Sequence, residues 1–94
     1  MKEEIKEEIK EVTQEMDDVA NDRDVPRNVR EKLGKAQKMI NKKAEKDIDA
    51  QNLDFTRAIY LMNEASEDIN IPFHTRTDIM NITSKLEKIK ESIK

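Results

Sequence analysis

In 94 residues the chain has no cysteine and no tryptophan, one glycine, one histidine, one tyrosine, two prolines and two phenylalanines. Without cysteine there is no disulfide framework and no thiolate metal site. With a single histidine, His74, a transition-metal site would rest on carboxylates alone, and no Glu-x-x-His di-iron signature occurs. One glycine cannot make a glycine-rich phosphate loop. No apolar run approaches the roughly 20 residues that span a bilayer, and no secretory hydrophobic segment follows the charged N-terminus. The expectation is a soluble, cytoplasmic protein with no membrane partner. Period-two alternation is also missing, which argues against strands.

Charge is abundant instead: 18 basic and 21 acidic residues make 41% of the chain, for a net charge of −3. Such a composition with 3% aromatics leans toward disorder, but the apolar residues are not scattered. Ile5, Ile9, Val12, Met16 and Val19 recur at spacings of four and three. Val29, Leu33, Ala36 and Ile40 repeat the pattern, as do Phe55, Ala58, Ile59, Met62, Ala65 and Ile69. Thr75, Ile79, Ile82, Leu86, Ile89 and Ile93 form the longest such series. Each series is the buried stripe of one amphipathic helix. The fold expected is therefore all-α.

Punctuation gives the boundaries. Asp24-Val25-Pro26 and Asn70-Ile71-Pro72 each offer a capping oxygen followed by proline in a first turn. Helices are expected over about 2–21, 25–45, up to 68 and 71–93, with Asp47, Asp49 or Asn52 capping the third. Lys88, Lys90 and Lys94 complement the dipole at the end of the fourth.

The two halves are alike. A shift of 46 residues lays Val25-Pro26 on Ile71-Pro72, Arg30 on Arg76, Asp22 on Asp68, Met16 on Met62, Leu33 on Ile79 and Ile40 on Leu86. This predicts one domain of two similar helical hairpins, 1–46 and 47–94. The period also fits helical solenoid repeats, but two units are too few for a solenoid. Net charges of −6, +6, −5 and +2 over 1–22, 23–46, 47–70 and 71–94 favour an antiparallel up-down-up-down bundle, where every neighbouring pair is opposite in sign.

Val25-Pro26-Arg27-Asn28-Val29-Arg30, Ile71-Pro72-Phe73-His74-Thr75-Arg76 and Ser84-Lys85-Leu86-Glu87-Lys88-Ile89 resemble the archaeal uncharacterised protein family 0147, from about residue 10 to 90. The resemblance implies a small, cytoplasmic, four-helix protein and carries no activity, cofactor or catalytic residue. The departures from the family pattern lie in residues 1–9 and the lysine-rich stretch 42–46.

Acid–base chemistry needs carboxylates drawn into an apolar pocket, whereas Glu3-Glu4, Glu7-Glu8 and Asp17-Asp18 sit on polar faces. Ser66, Ser84 and Ser92 have no evident base. No catalytic residue, metal ligand, cofactor or small-molecule substrate is assigned, and an enzyme is not expected.

Three surfaces remain. Asp22/Arg30 and Asp68/Arg76 are each eight apart across a junction, so a guanidinium could brace the bend on its carboxylate. The sharper reading makes the two arginines anion receptors at one end of the bundle. Arg27, Lys35, Lys38, Lys42 and Lys46 fall on one face of the second helix, which could track a nucleic-acid backbone. The absence of interleaved aromatics, the interruptions at Glu31 and Glu45 and the acidic whole protein favour a solvated face. Leu53 and Tyr60 on the third helix, and Phe73 and Met80 on the fourth, lie opposite the core stripes, where the first hairpin has Glu7, Gln14, Arg27 and Gly34. Either bundle asymmetry buries them or they form a patch for a partner. The expected function is a non-catalytic protein-interaction or self-association module. The alternative is an RNA- or ribosome-associated accessory protein using the second helix.

Overall fold

The structure is a computed structural model that describes residues 3–41 and 48–93. Four helices follow one another: α1 (Glu3–Ala20), α2 (Arg27–Ile40), α3 (Ile48–Ser66) and α4 (Phe73–Ser92). Among the described residues there is no strand. Each helix touches its sequence neighbours, α1 also touches α4, and among the described residues neither diagonal pair is in contact. This is a square antiparallel four-helix bundle, 37 Å long and about 20 Å across. It excludes the two-unit solenoid, which would set α1 on α3.

The predicted stripes form the core. Val12, Met16, Val29, Leu33, Ala36, Phe55, Ala58, Met62, Ala65, Ile79, Ile82, Leu86 and Ile89 are buried. Ile5, Ile9 and Ile59 are partly buried against them. Burial follows the 46-residue repeat at most core positions, as in Val12 with Ala58, Val19 with Ala65, Val25 with Ile71, Val29 with Thr75 and Ile40 with Leu86. Thr83 is buried on α4 because its hydroxyl donates to the Ile79 carbonyl at 2.9 Å, leaving no unmet polar group.

Several boundaries differ from expectation. The prolines are not in the first turns; Pro26 and Pro72 are themselves the N-cap residues, extended at ψ 148° and 153°, and no side chain caps either helix. Their carbonyls take the first helical bonds, from Arg30 N–H at 3.0 Å and Arg76 N–H at 3.1 Å. Asp24 and Asn70 therefore do not cap. Their own N–H groups donate to the carboxylates of Asp22 and Asp68, at 2.9 and 2.8 Å, closing an Asx turn in each junction.

α2 ends at Ile40, with Asn41 as its C-cap; the predicted continuation over 42–45 lies outside the described residues. Asp49 and Asn52 fall within α3 and do not cap it, and Asp47 is outside the described residues. α3 stops at Ser66, two residues short of the expected end. Ile69 thus leaves the helical phase that would have buried it and stands 88% exposed in the junction. Lys90 lies in the last turn of α4 as expected.

Candidate interaction surfaces

The α1–α2 and α3–α4 junctions lie side by side at one end of the bundle, joined by crossed contacts. Asn28, at the start of α2, donates from Nδ2 to Asp68 Oδ2 at 3.0 Å. His74, its counterpart 46 residues on, has Nε2 3.9 Å from Asp22 Oδ2. Each junction's aspartate thus faces the first turn of the other hairpin's second helix, an approximate two-fold arrangement. The bonds from Asn28 and the Asn70 N–H, in that order, hold the Asp68 carboxyl below its usual value of 3.8.

The two arginines do not pair with these aspartates. Arg76 Nε donates to the Ser66 carbonyl and Nη2 to the Asp68 carbonyl, both at 2.9 Å. It closes the C-terminal end of α3 through the main chain, where the last turn leaves carbonyls unmet. Arg30 makes no matching pair of bonds. Its Nε is buried without a hydrogen-bond partner among the described residues, and the Asp22 carbonyl is taken by the Val25 N–H at 3.1 Å. The expected Asp22/Arg30 and Asp68/Arg76 carboxylate braces are therefore replaced by backbone capping at one junction and a backbone turn at the other. Arg76 is committed to carbonyls rather than open to an anion.

On the basic face of α2, Arg27, Lys35 and Lys38 are exposed. Arg27 Nε lies 3.3 Å from Glu31 Oε1, one turn on. Lys42 and Lys46 lie outside the described residues. The opposite seam, between α1 and α4, holds a shallow cleft of about 480 Å³ lined by Glu15, Asp18, Asp78, Asn81 and Lys85. Lys85 crosses it to Glu15 as an ion pair. Among the described residues no group of three or more His, Cys, Asp or Glu side chains could hold a metal ion.

The apolar positions singled out on the second hairpin are all exposed: Leu53 by 48%, Tyr60 by 65%, Phe73 by 81% and Met80 by 58%. The bundle buries none of them. They belong to longer exposed series, Leu53-Thr56-Tyr60-Asn63 on α3 and Phe73-Thr77-Met80-Ser84 on α4, in which no residue is charged. The same positions of the first hairpin hold Glu7, Lys10, Gln14 and Asp17, then Arg27, Glu31, Gly34 and Lys38. Six of those eight are charged. Sequence reasoning found the large side chains and missed the threonines, Asn63 and Ser84 between them. The signal was available as an absence of charge at the repeat-equivalent positions. Tyr60 and Met80 stand at similar height, each about two turns from the α3–α4 junction. Asp78, Asn81, Ser84 and Lys85 of α4 line the α1 cleft, and at 100° per residue Met80 and Phe73 point roughly 110° and 90° away from their mean direction. They point outward from the bundle, nearly opposite the buried stripe of α4.

Comparison with known proteins agrees with the fold and places the chain. Residues 1–89 match the group described as Uncharacterised protein family (UPF0147). The chain belongs to this family. A UPF0147 protein of Methanocaldococcus jannaschii is 40% identical over 75 residues, covering 80% of this chain and 76% of that protein. A Pyrococcus abyssi member is 40% identical over 73 residues, covering 77% and 79%. The crystal structure of a UPF0147 protein from Thermoplasma acidophilum is similar at a TM-score of 0.78 and 28% identity, over 89% of this chain and 94% of that one. The fold is thus shared with a UPF0147 member at 28% identity, as expected where packing volume and pattern matter more than residue identity. No described helix of this UPF0147 member is long and apolar enough to cross a membrane.

Proposed function

We propose that this UPF0147 protein is a non-catalytic, cytoplasmic protein-interaction module whose docking surface is the outer side of α3 and α4. One observation carries the reading: in a chain that is 41% charged, eight exposed positions on adjacent helices hold no charge and include Leu53, Tyr60, Phe73 and Met80. Apolar surface that a monomer leaves together is where partners dock, and tyrosine and phenylalanine supply large contact area at modest rotamer cost.

The test is the double variant Tyr60→Ser/Phe73→Ser. Proteins co-purifying with the tagged wild-type chain from its native cells should be lost with the double variant and retained at high salt, because area rather than charge holds them. The unfolding midpoint should stay within a few degrees of wild type, since neither side chain is in the core. If the double variant retains every partner, and Lys35→Glu/Lys38→Glu releases nucleic acid with a steep salt dependence, the α2 face is the functional one and the protein is an RNA-associated accessory.

A further inference from the structure

We infer that the partner lies along the border of this surface with α2 and is an amphipathic helix with acidic flanks. The inference rests on the docking reading above, to which Leu53 and Tyr60 belong, and adds where the partner sits and what it is made of.

The approximate two-fold relation between the hairpins exchanges α1 with α3 and α2 with α4, so the α1–α4 seam has its counterpart in the α3–α2 seam. The α1–α4 seam is the shallow cleft lined by Glu15, Asp18, Asp78, Asn81, Ser84 and Lys85. Residues 46 away from these are Leu61, Glu64, Lys32, Lys35, Lys38 and Met39. Hydrogen bonds fix the same side independently. Gln37 of α2 turns toward α1, where it meets the Thr13 carbonyl and the Asp17 carboxylate. At 100° per residue Lys32, Lys35 and Met39 point about 140–160° away from Gln37, toward α3. The two seams differ in chemistry. Where Lys85 pairs with Glu15, the α2–α3 seam has Met39 and Leu61, both half-buried. Where Asp18 and Asp78 line the cleft with like charge, this seam has Glu64 and Lys32, opposite in sign. In place of the neutral Asn81 and Ser84 stand the exposed Lys35 and Lys38.

An apolar floor with a basic rim selects the occupant. Leu53 and Tyr60 stand exposed on α3 beside Leu61, and Arg57 is exposed between them along the helix. Among the described residues no ion pair takes Lys35, Lys38 or Arg57, while Glu31, the one acidic residue of α2, is held by Arg27. Three uncompensated cations beside apolar side chains match carboxylates flanking an apolar stripe, the pattern of an amphipathic helix laid in a groove. The seam between two antiparallel helices is such a groove, into which the ridges of a third helix pack. Apolar area sets the strength of this contact and the rim charges set its choice of partner. A nucleic-acid strand fits less well. Its phosphates would run onto Glu64 and Glu31 about one turn further on, and Tyr60 is the one aromatic beside these cations. The acidic α1–α4 cleft lies across a bundle about 20 Å wide. That is about two Debye lengths at physiological salt, so its repulsion of carboxylates at this seam is largely screened.

Fluorescence anisotropy of labelled peptides titrated with the full chain tests this. Two synthetic helical peptides share one apolar stripe of leucine and phenylalanine; one carries glutamate on both flanks, the other lysine. Wild type should bind the glutamate peptide at least about threefold more tightly, the modest advantage of a few exposed ion pairs. Raised salt should shrink that preference without abolishing binding. Lys35→Glu/Arg57→Glu should invert the order with helicity unchanged by circular dichroism, and Lys38→Glu serves as a second probe should the double variant misfold. Equal or stronger binding of the lysine peptide by wild type, or binding of neither peptide, overturns the proposal. A mixed-sequence RNA oligonucleotide that binds more tightly than the glutamate peptide, and is released by Lys35→Glu/Arg57→Glu, overturns it in favour of nucleic acid. A wild-type dimer in sedimentation that the same variant dissociates overturns it in favour of a second copy. The docking reading is decided separately: loss of co-purifying partners with Tyr60→Ser/Phe73→Ser leaves that reading standing when only the acidic helix has failed.

Discussion

Asp68 uses both carboxylate oxygens within the fold: Oδ1 accepts from the Asn70 N–H and Oδ2 from Asn28. Its lowered pKa follows from those bonds, and so does a pH signature. A carboxyl whose folded pKa lies below its unfolded value contributes stability that is complete above about 3.8 and is lost as pH falls through the lower folded value. Asn28→Ala removes the largest cause. It should move the Asp68 titration toward 3.8, read from its side-chain carboxyl carbon by NMR. An unchanged midpoint would mean the cross-junction bond does not persist in solution. The arginines give a second comparison. Arg76 holds two main-chain carbonyls, and charged hydrogen bonds of this kind are worth about 1.5–3 kcal/mol each before solvent screening. Arg76→Ala should therefore destabilise by about 1–3 kcal/mol in urea unfolding. Arg30→Ala should stay within about 0.5 kcal/mol, because it breaks no such pair. Equal losses at the two positions would show that the two junctions are braced alike. Spacing alone made these residues visible as pairs. It could not say that the guanidinium would reach the carbonyls of a helix end instead of the carboxylate beside them, since that depends on where α3 stops.

Leu33 and Ile79, central in their stripes and fully buried at repeat-equivalent positions, set the scale for the helices. Truncation of either to alanine should cost about 2–5 kcal/mol, the transfer free energy plus the cavity left behind. Losses below about 0.5 kcal/mol would mean the helical phase is wrong. Gly34 works in the opposite direction. It lies inside α2, where a Cβ would meet nothing within 4 Å. Gly34→Ala should stabilise by about 0.5–1 kcal/mol through the unfolded chain's lost freedom, and a lowered unfolding midpoint would contradict the open space around it. The stripes were legible because period and burial coincide along most turns of every helix. Ile69 marks where that logic stops. It continues the 62–65 spacing of α3 in sequence, but the helix has already ended at Ser66 and the phase no longer applies. The prolines misled by two positions for a related reason: an extended proline can serve as the N-cap itself, with its carbonyl accepting the first helical bond.

At the level of the bundle, alternating net charge along the chain agrees with the observed square, in which every touching pair of helices is opposite in sign. The contacts themselves are modest. Lys85 with Glu15 ties α4 to α1 at the seam that closes the square. Being half-exposed, the pair is worth about 0–1 kcal/mol, so Lys85→Ala should lower stability by no more than about 1 kcal/mol and leave the topology intact. A larger loss, or a change in compactness by small-angle scattering, would make electrostatics a determinant of the arrangement. Burial of the four stripes holds the bundle together. The same burial explains why the second hairpin's outer residues are informative: the core is complete without them.

Hydrophobic period, the doubled proline junction and the 46-residue offset determine the number of helices, their buried faces and the likeness of the hairpins, because each follows from covalent geometry and 3.6-residue periodicity. The outward positions of Leu53, Tyr60, Phe73 and Met80 could likewise be read from angles on a helix. Only the folded arrangement decided that these positions face solvent and not another helix, since a wheel shows one helix at a time and exposure depends on what packs beside it. The crossing of Asn28 to Asp68 and of His74 toward Asp22 was equally out of reach. These partners are 40 and 52 residues apart, and nothing local to either one names the other until the two junctions are brought to the same end of the bundle.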